Sequence, residues 1–549
     1  MKERSREMRM GRRTLLLGIA MSAAAMNAVG AVDPEIAAAV REDVSHVIHP
    51  GGVNGSPFWN GNAGMFMYPP SFDFPEMKEA DHGYRFEVVD AHGRMHAFEA
   101  SSPKVPLTNV WDRVPAGFTT VICRGICGPD VKKVTCGTRA FWKSAAYTGD
   151  YPWLRQTIRW QNIEECAKKG FDFVLDAKYV RHFAEKGEPD WSFCYNCYPS
   201  KMLSAIIELC SAYVRRGGER RDEALAIARA AADWLMANAE KPDAPLAYFP
   251  PTYVGTSRVG RQHLGQIMTI YPGAAANAYL SLYGASGDTK YLDAAENIAS
   301  TFLKLQGEDG TWYLMMKAED GSPIGDNRLV PIAQQIPMFD TLFRITGKSV
   351  YREASDRALT NVDRTRVATW NWEGQFEDSY LTPPYANQTK HDACSTAIYI
   401  LKRFPGDAQR LALARDILRF AEDQFVCWER PYEGMGPDAD TSSLLFVNEW
   451  SVPGVREQYF WDVPIDASAA KLIRTYLALY KAEGRRLDLE KAKTLGYMAA
   501  KMQWLDGGIP THWCWFFHET QNSIWINCHI STTLALAELS ETLKSADKK

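Results

Sequence analysis

The 549-residue sequence predicts a mainly α-helical protein, an (α/α)6 toroid preceded by a small β-sandwich domain. Three observations predict it. A motif of glycine followed by an amphipathic helix recurs six times along the second part of the chain. Helices rich in small residues alternate with those copies. Ahead of them lies a stretch in which apolar and polar residues alternate, broken by turn signals.

The first 31 residues read as an export signal. Arg12-Arg13 end a basic stretch, "TLLLGIAMSAAAM" supplies a short apolar run, and Val29 and Ala31 provide small residues before a cleavage point. The mature chain is expected to begin near Val32. The arginine pair ahead of Leu15-Leu16 resembles a twin-arginine signal, beside the plainer reading of an ordinary secretory one. The apolar run is too short and alanine-rich to cross a bilayer. No second run follows, so no membrane insertion is expected once the signal is removed. The expected location is periplasmic or secreted.

Residues 32–135 are expected to hold the β-sandwich. "YRFEVVDAHGRMHAFEA" alternates on either side of the turn "DAHG", and "VPAGFTTVICRGI" adds a second β-rich run. Residues 136–549 carry the repeats. The motif glycines are Gly149, Gly218, Gly287, Gly347, Gly406 and Gly484. Glycine closes one helix, a polar residue opens the next, and apolar residues then recur three and four apart. Before each glycine lies a small-residue helix, such as "YPGAAANAYLSLY" or "DASAAKLIRTYLALY", suited to close packing in an inner ring. The segment "PIAQQIPMFDTLF" carries Pro337, so its helix is expected to start late. Pairing each amphipathic helix with the small-residue helix that follows it makes six hairpins.

The turns that carry the glycines are short, whereas the connections leading into the small-residue helices are long. All the long connections must therefore gather on one rim, and function is expected there. Glu373, Glu377 and Asp378 form the densest acidic group in them, and Glu449 and Glu457 lie on the next connection. Paired carboxyl groups are the minimal equipment for glycoside hydrolysis, so these five are the candidate catalytic residues. Arg258, Arg261, Arg328 and Arg456 favour an acidic sugar, because a guanidinium grips a carboxylate in a two-pronged fork. His263, Trp372, Tyr385, Asn387, His391, His512 and Trp515 complete the candidate substrate-binding set. Aromatic faces suit sugar rings. A rival chemistry is a lyase, with Asn387 neutralising a uronate and His391 or Tyr385 abstracting its C5 proton, or His512 with Tyr253 doing so. Paired histidines would also serve an epimerase, and a non-catalytic glycan-binding protein is the alternative outside enzymes.

Composition narrows the partners. The net charge of -4 supplies no basic surface for nucleic acid, and the expected partner is a glycan or oligosaccharide. No metal and no cofactor are expected: no two histidines stand four apart on a predicted helix, and Cys194 and Cys197 form a lone C-x-x-C without a second pair. The eleven cysteines read as buried thiols or one or two disulfides.

The repeats over roughly residues 135–545, with "SGDTKYLDAAENIASTFLKLQGEDGTW" as the hallmark text, resemble the six-hairpin glycosidase superfamily. That superfamily includes unsaturated glucuronyl hydrolases and other enzymes of uronic acids, usually acting on glycan ends. The preceding "YRFEVVDAHGRMHAFEA" through "NVWDRVPAGFTTV" looks like the N-terminal β-domain of related exported bacterial proteins. Together they look most like the β-glucuronidase-type glycoside hydrolase family 154. The resemblance implies removal of a terminal glucuronic-type residue without a metal.

Overall fold

The computed structural model describes residues 33–49, 58–149, 151, 154, 162–193, 198–255, 262–376, 383–429, 453–461, 463–513 and 524–547. The expected signal lies outside them. Helix α1 (Pro34–Asp43) comes first, with Pro34 in its opening turn and the Asp33 carboxylate accepting from Glu35 N at 2.9 Å. Five strands follow: β1 (Met65–Phe66), β2 (Tyr84–Val89), β3 (Met95–Ala100), β4 (Gly117–Cys127) and β5 (Lys132–Lys143).

These strands form one sheet in the order β1-β5-β4-β2-β3, antiparallel except where β1 meets β5. The turn read from "DAHG" is present between β2 and β3. Asp90 Oδ1 accepts from His92 N and Arg94 N, and Gly93 takes φ +75°. Among the described residues no second sheet faces this one, so the expected sandwich is reduced to a single sheet there. Alternation in a strand requires only one covered face, whatever covers it. Here Phe66, Phe72, Phe74 and Trp111 pack with Phe86 and Phe141. Strand β5 runs to Lys143, past residue 135.

Helices α2 (Ile163–Asp176) and α3 (Lys178–Lys186) lead into an alternating series. It runs α4 (Pro199–Arg215) then α5 (Arg221–Ala237), α6 (Ile270–Ser286) then α7 (Thr289–Leu305), and α8 (Gln335–Thr346) then α9 (Ser349–Val362). It continues with α10 (His391–Arg403) then α11 (Ala408–Phe425), α12 (Asp466–Glu483) then α13 (Arg486–Met502), and α14 (Ile526–Ala546) last. The small-residue helices close into a ring. Helix α4 packs on α6, α6 on α8, α10 on α12, α12 on α14, and α14 back on α4. The remaining pair is joined by Tyr399 Oη of α10, which donates to Asp340 Oδ2 of α8 at 2.7 Å. Six inner helices closing on themselves make the expected toroid, and α8 starts late with Pro337 in its first turn.

The pairing within the toroid differs from expectation. Each outer helix packs most on the inner helix before it, and α2 packs on α14, so first and last elements close the circle. The reason is the turn. Gly287, Gly347 and Gly484 each take φ near +72° and end α6, α8 and α12, and two residues later the outer helix has begun. So short a link leaves the two helices no course but antiparallel contact. In the first such link Gly217, at φ +75°, takes the left-handed position rather than Gly218.

Gly310 tests how tightly this frame is packed. It sits at φ +86°, and a Cβ there would strike the Arg357 carbonyl on α9. Gly310→Ala is expected to lower stability by about 1–3 kcal/mol, read as a lower midpoint in chemical denaturation.

The sheet and α1 dock on α11 and α13. Asp423 of α11 accepts from Tyr68 N at 2.8 Å and from Met67 N, and Gln424 Nε2 donates to Met65 O at 2.9 Å. Beside them lies a buried ionic group. Lys491 Nζ meets Glu422 at 2.7 Å and Asp43 at 3.4 Å, and Arg419 and Arg485 each reach Asp43 at 3.1 Å. One continuous hydrophobic core runs from sheet to toroid.

Candidate active site

Each of the first five inner helices is followed by a short turn, an outer helix and a longer connection, and α14 is entered from such a connection too, so all six inner helices run the same way. Their N-terminal ends share one rim with the long connections, and the positive ends of six helix dipoles meet there. Along these helices most residues are buried, and the partly open ones recur three and four apart. Such a stripe on a helix hemmed in by neighbours faces the axis of the ring. On α4 it includes Lys201 and Glu208, on α10 His391 and Ser395, and on α12 Lys471 and Arg474. Lys471 Nζ donates to Ser395 Oγ at 3.1 Å, which ties two of these stripes together.

Among the described residues Lys471 makes no ion pair with a carboxylate. Burial first, and then Arg474, lowers its pKa, with Cys394, Asp392 and Glu208 acting the other way. His391, the first residue of α10, opens onto the axial space yet is walled in by protein. That setting, then Lys471, Lys390 and Lys201, holds its pKa well below the ordinary value, so its imidazole is neutral near pH 7. Asp392 follows it and is 4% exposed. Burial pushes its carboxyl up to about 6, against the opposing pull of Arg366 and Lys471. Asp466 holds the matching place at the start of α12. It is fully buried, and its carboxyl accepts from Ala467 N at 2.7 Å and Thr532 Oγ1 at 3.2 Å.

Glu373 lies on the connection entering α10, bridged to Gln388 across a short antiparallel pairing. Asn371 Nδ2 approaches its Oε2 at 3.4 Å and Asn387 N its Oε1 at 3.5 Å. Arg366 feels the charges of both Glu373 and Asp392. Two non-glycine residues with positive φ bracket this stretch, Trp370 at +59° and Tyr385 at +66°. Strain of that kind is held only where the surroundings dictate it. Tyr385 is pinned through its Oη to Thr369 O at 2.8 Å.

The structure places the other described candidates as follows. Trp372 has no exposed surface, so it offers no face to a sugar; its indole packs against Trp370 at 5.7 Å. Asn387 is 2% exposed and spends its amide on Gln458 Oε1 and Phe460 N. Arg456 is also buried, with Nη1 at 2.8 Å from Met65 Sδ on the sheet. Arg328 stacks on Tyr313, 3.8 Å from the ring centre, and pairs with Asp309 at 3.4 Å. His263 Nδ1 contacts Gln266 Oε1 at 2.9 Å. His512 is buried, which lowers its pKa to about 4. The backbone carbonyl of half-buried Glu457 accepts from Thr389 Oγ1 at 3.0 Å and from Lys390 Nζ at 2.5 Å. Glu377, Asp378, Glu449, Arg258, Arg261 and Trp515 lie outside the described residues.

Lys201, Lys471 and Asp392 are not among the residues expected from sequence, because they stand on the inner helices rather than on the connections that lead into them. A signal exists. In "YPSKMLSAIIEL" and "DASAAKLIRTY" a lone lysine interrupts small and apolar residues on a helix with no solvent face to give it. Among the described residues no group of histidine, cysteine and carboxylate side chains could hold a metal, and no helix is long and apolar enough to cross a membrane.

No protein-family model and no curated protein matches the chain. Solved structures are. A family 76 glycoside hydrolase from a bovine Bacteroides thetaiotaomicron strain is 10% identical, covering 84% of this chain and 93% of its own, with TM-score 0.44. The cellobiose 2-epimerase of Spirochaeta thermophila is 15% identical over 72% of this chain and 98% of its own, with TM-score 0.49. An unsaturated glucuronyl hydrolase from Streptococcus agalactiae is 11% identical over 71% of this chain and 95% of its own, with TM-score 0.43. These proteins are glycoside hydrolases and a sugar epimerase. At such identities no substrate is carried from them to this chain.

Proposed function

We propose that the chain is an exported glycoside hydrolase that removes a terminal uronic acid of glucuronic type from a glycan, with glycoside hydrolase family 154 as its family. The observation that carries this reading is Lys471, an ammonium inside the ring with a hydroxyl partner and no carboxylate partner among the described residues. An enclosed ammonium whose nearby carboxylates Asp392 and Glu208 act on it only at a distance is costly, and a uronate carboxylate would supply a direct partner. Lys201, His391 and the six helix ends line the same space. Lys471→Met is expected to raise KM for an aryl glucuronide roughly 10- to 100-fold, the loss of one hydrogen bond between charged groups. A neutral aryl glucoside should show no such change, and equal effects on both would defeat the reading.

The catalytic parts follow from the environments. A carboxyl with pKa about 6 keeps its proton over the mildly acid range, so Asp392 is the general acid for the leaving oxygen. Glu373 is the second carboxyl, acting on water or on the anomeric carbon. The sign of the pH dependence is then determined. The acid works while protonated, so kcat should fall as pH rises through about 6 and hold below it. Rates measured from pH 4.5 to 8 on the wild type check this; a limb of opposite sense would remove Asp392 from the role.

Neutral His391, open to the axial space among cations, specifically favours a second reading, a lyase that abstracts the C5 proton of the uronate. Export rests on residues 1–31 and is checked by the N-terminus of the secreted protein, expected near Val32.

A further inference from the structure

The segment after β6 (Gly454–Val455) lies antiparallel to the stretch that enters α10. Thr389 pairs with Gln458, Tyr459 N donates to Gln388 O at 3.1 Å, and Phe460 N donates to Asn387 Oδ1 at 2.9 Å. This register runs away from His391 as the chain goes from Arg456 to Phe460, about 13 Å at the rise of a strand. A turn closes it, Gln458 N donating to Trp461 O at 3.1 Å. At that turn Tyr459 points inward, with Oη on Gln424 Oε1 at 2.7 Å, while Phe460 and Trp461 are 46% and 39% exposed. The indole of Trp461 meets His512 edge-on, with ring centres 6.0 Å apart. The Asn387 amide fixes the turn from both sides.

Two adjacent exposed aromatic rings on an anchored turn are a standing cost in water unless something covers them. We propose that Phe460 and Trp461 form a stacking subsite for the glycan's sugar ring on the leaving-group side of the scissile bond. This rests on the reading that a terminal uronate enters the ring. With that residue held among the inner helices, the rest of the glycan must leave past the rim. The turn stands there, displaced outward from His391 and Asp392 along a strand that leads directly to them. Aromatic faces bind the apolar face of a pyranose, so the occupant is a sugar ring rather than a second charge.

The test compares a uronic-acid-terminated tetrasaccharide with an aryl uronide of the same sugar. Phe460→Ala and Trp461→Ala are expected to lower kcat/KM for the tetrasaccharide roughly tenfold each, mainly through KM, with a far smaller loss for the aryl uronide. Trp461→Phe should restore most of the tetrasaccharide rate. Equal loss on both substrates, or no loss on either, would overturn the subsite. Calorimetric titration of the tetrasaccharide separates the subsite from the reaction. Binding by the wild type that weakens in Trp461→Ala, without hydrolysis, would keep the subsite and remove the hydrolase. Unchanged binding, or none by the wild type, overturns the subsite. Loss of self-association in the variants, seen by sedimentation, would assign the two rings to a second copy of the chain instead.

Discussion

Asp392→Asn is expected to lower hydrolysis of a glycan with an unactivated leaving group by roughly 10²- to 10⁴-fold, the usual share of a positioned general acid. The substitution keeps the side chain's volume and removes the proton donor. Asp392 is 4% exposed, so the amide must occupy the same place at the start of α10. Binding of the intact glycan should survive, because Lys471, Lys201 and His391 are untouched. The fall of kcat through pH 6 should vanish in the variant, since the group that titrates there is gone. A substrate whose leaving group needs no protonation should lose far less. Glu373→Gln should abolish turnover for both substrates, which separates the two carboxyl roles. If Asp392→Asn lost activity equally on both, a damaged helix start would explain it better than acid catalysis.

Lys491→Met carries the largest expected effect on stability. Lys491 is 1% exposed and lies between Glu422, also 1% exposed, and Asp43 at 3%. Removing the ammonium leaves two buried carboxylates with less compensation, and such losses run to about 3–5 kcal/mol. Trp428 Nε1 and Tyr68 Oη also donate to Glu422, at 2.9 and 3.2 Å, so the damage would reach the joint between sheet and toroid. Urea denaturation of the wild type and the variant gives the difference. Asp43 adds a pH signature. Burial pushes its carboxyl up, but Lys491, Arg485, Arg419 and Arg415 outweigh that and hold its pKa well below the usual range. A depressed folded pKa contributes stability above the unfolded value of 3.8, lost as pH falls below it. The variant should therefore lose stability less steeply in acid than the wild type.

The fold was legible where backbone chemistry leaves few choices. A left-handed helix end such as Gly287 or Gly484 all but demands glycine, so the repeat shows in single letters. The partner across each turn was not so legible, because an apolar stripe says that a helix packs without saying on what. The single sheet has the same cause: β2 alternates whether a sheet, loops or a helix covers it. In the candidate site, Trp372 and Asn387 were read from residue type and lie buried, since aromatic and amide groups also suit a core. Lys471 went unseen because its setting comes from the closed ring, which turns an ordinary polar stripe into the wall of an enclosed space, and Asp392 because its burial beside that stripe shows only in the fold. His391, expected on the rim, opens onto the axial space because it stands at the joint between connection and helix.

Cleavage of a terminal uronic acid by hydrolysis is decided directly by the products. The wild type should be incubated with a uronic-acid-terminated oligosaccharide and the products followed by mass and by ultraviolet absorbance. The expected result is free, saturated uronic acid and a shortened glycan with a new end, one water gained per bond broken. An unsaturated, ultraviolet-absorbing uronate with no water gained would contradict it and put His391, rather than Asp392, at the centre of the chemistry.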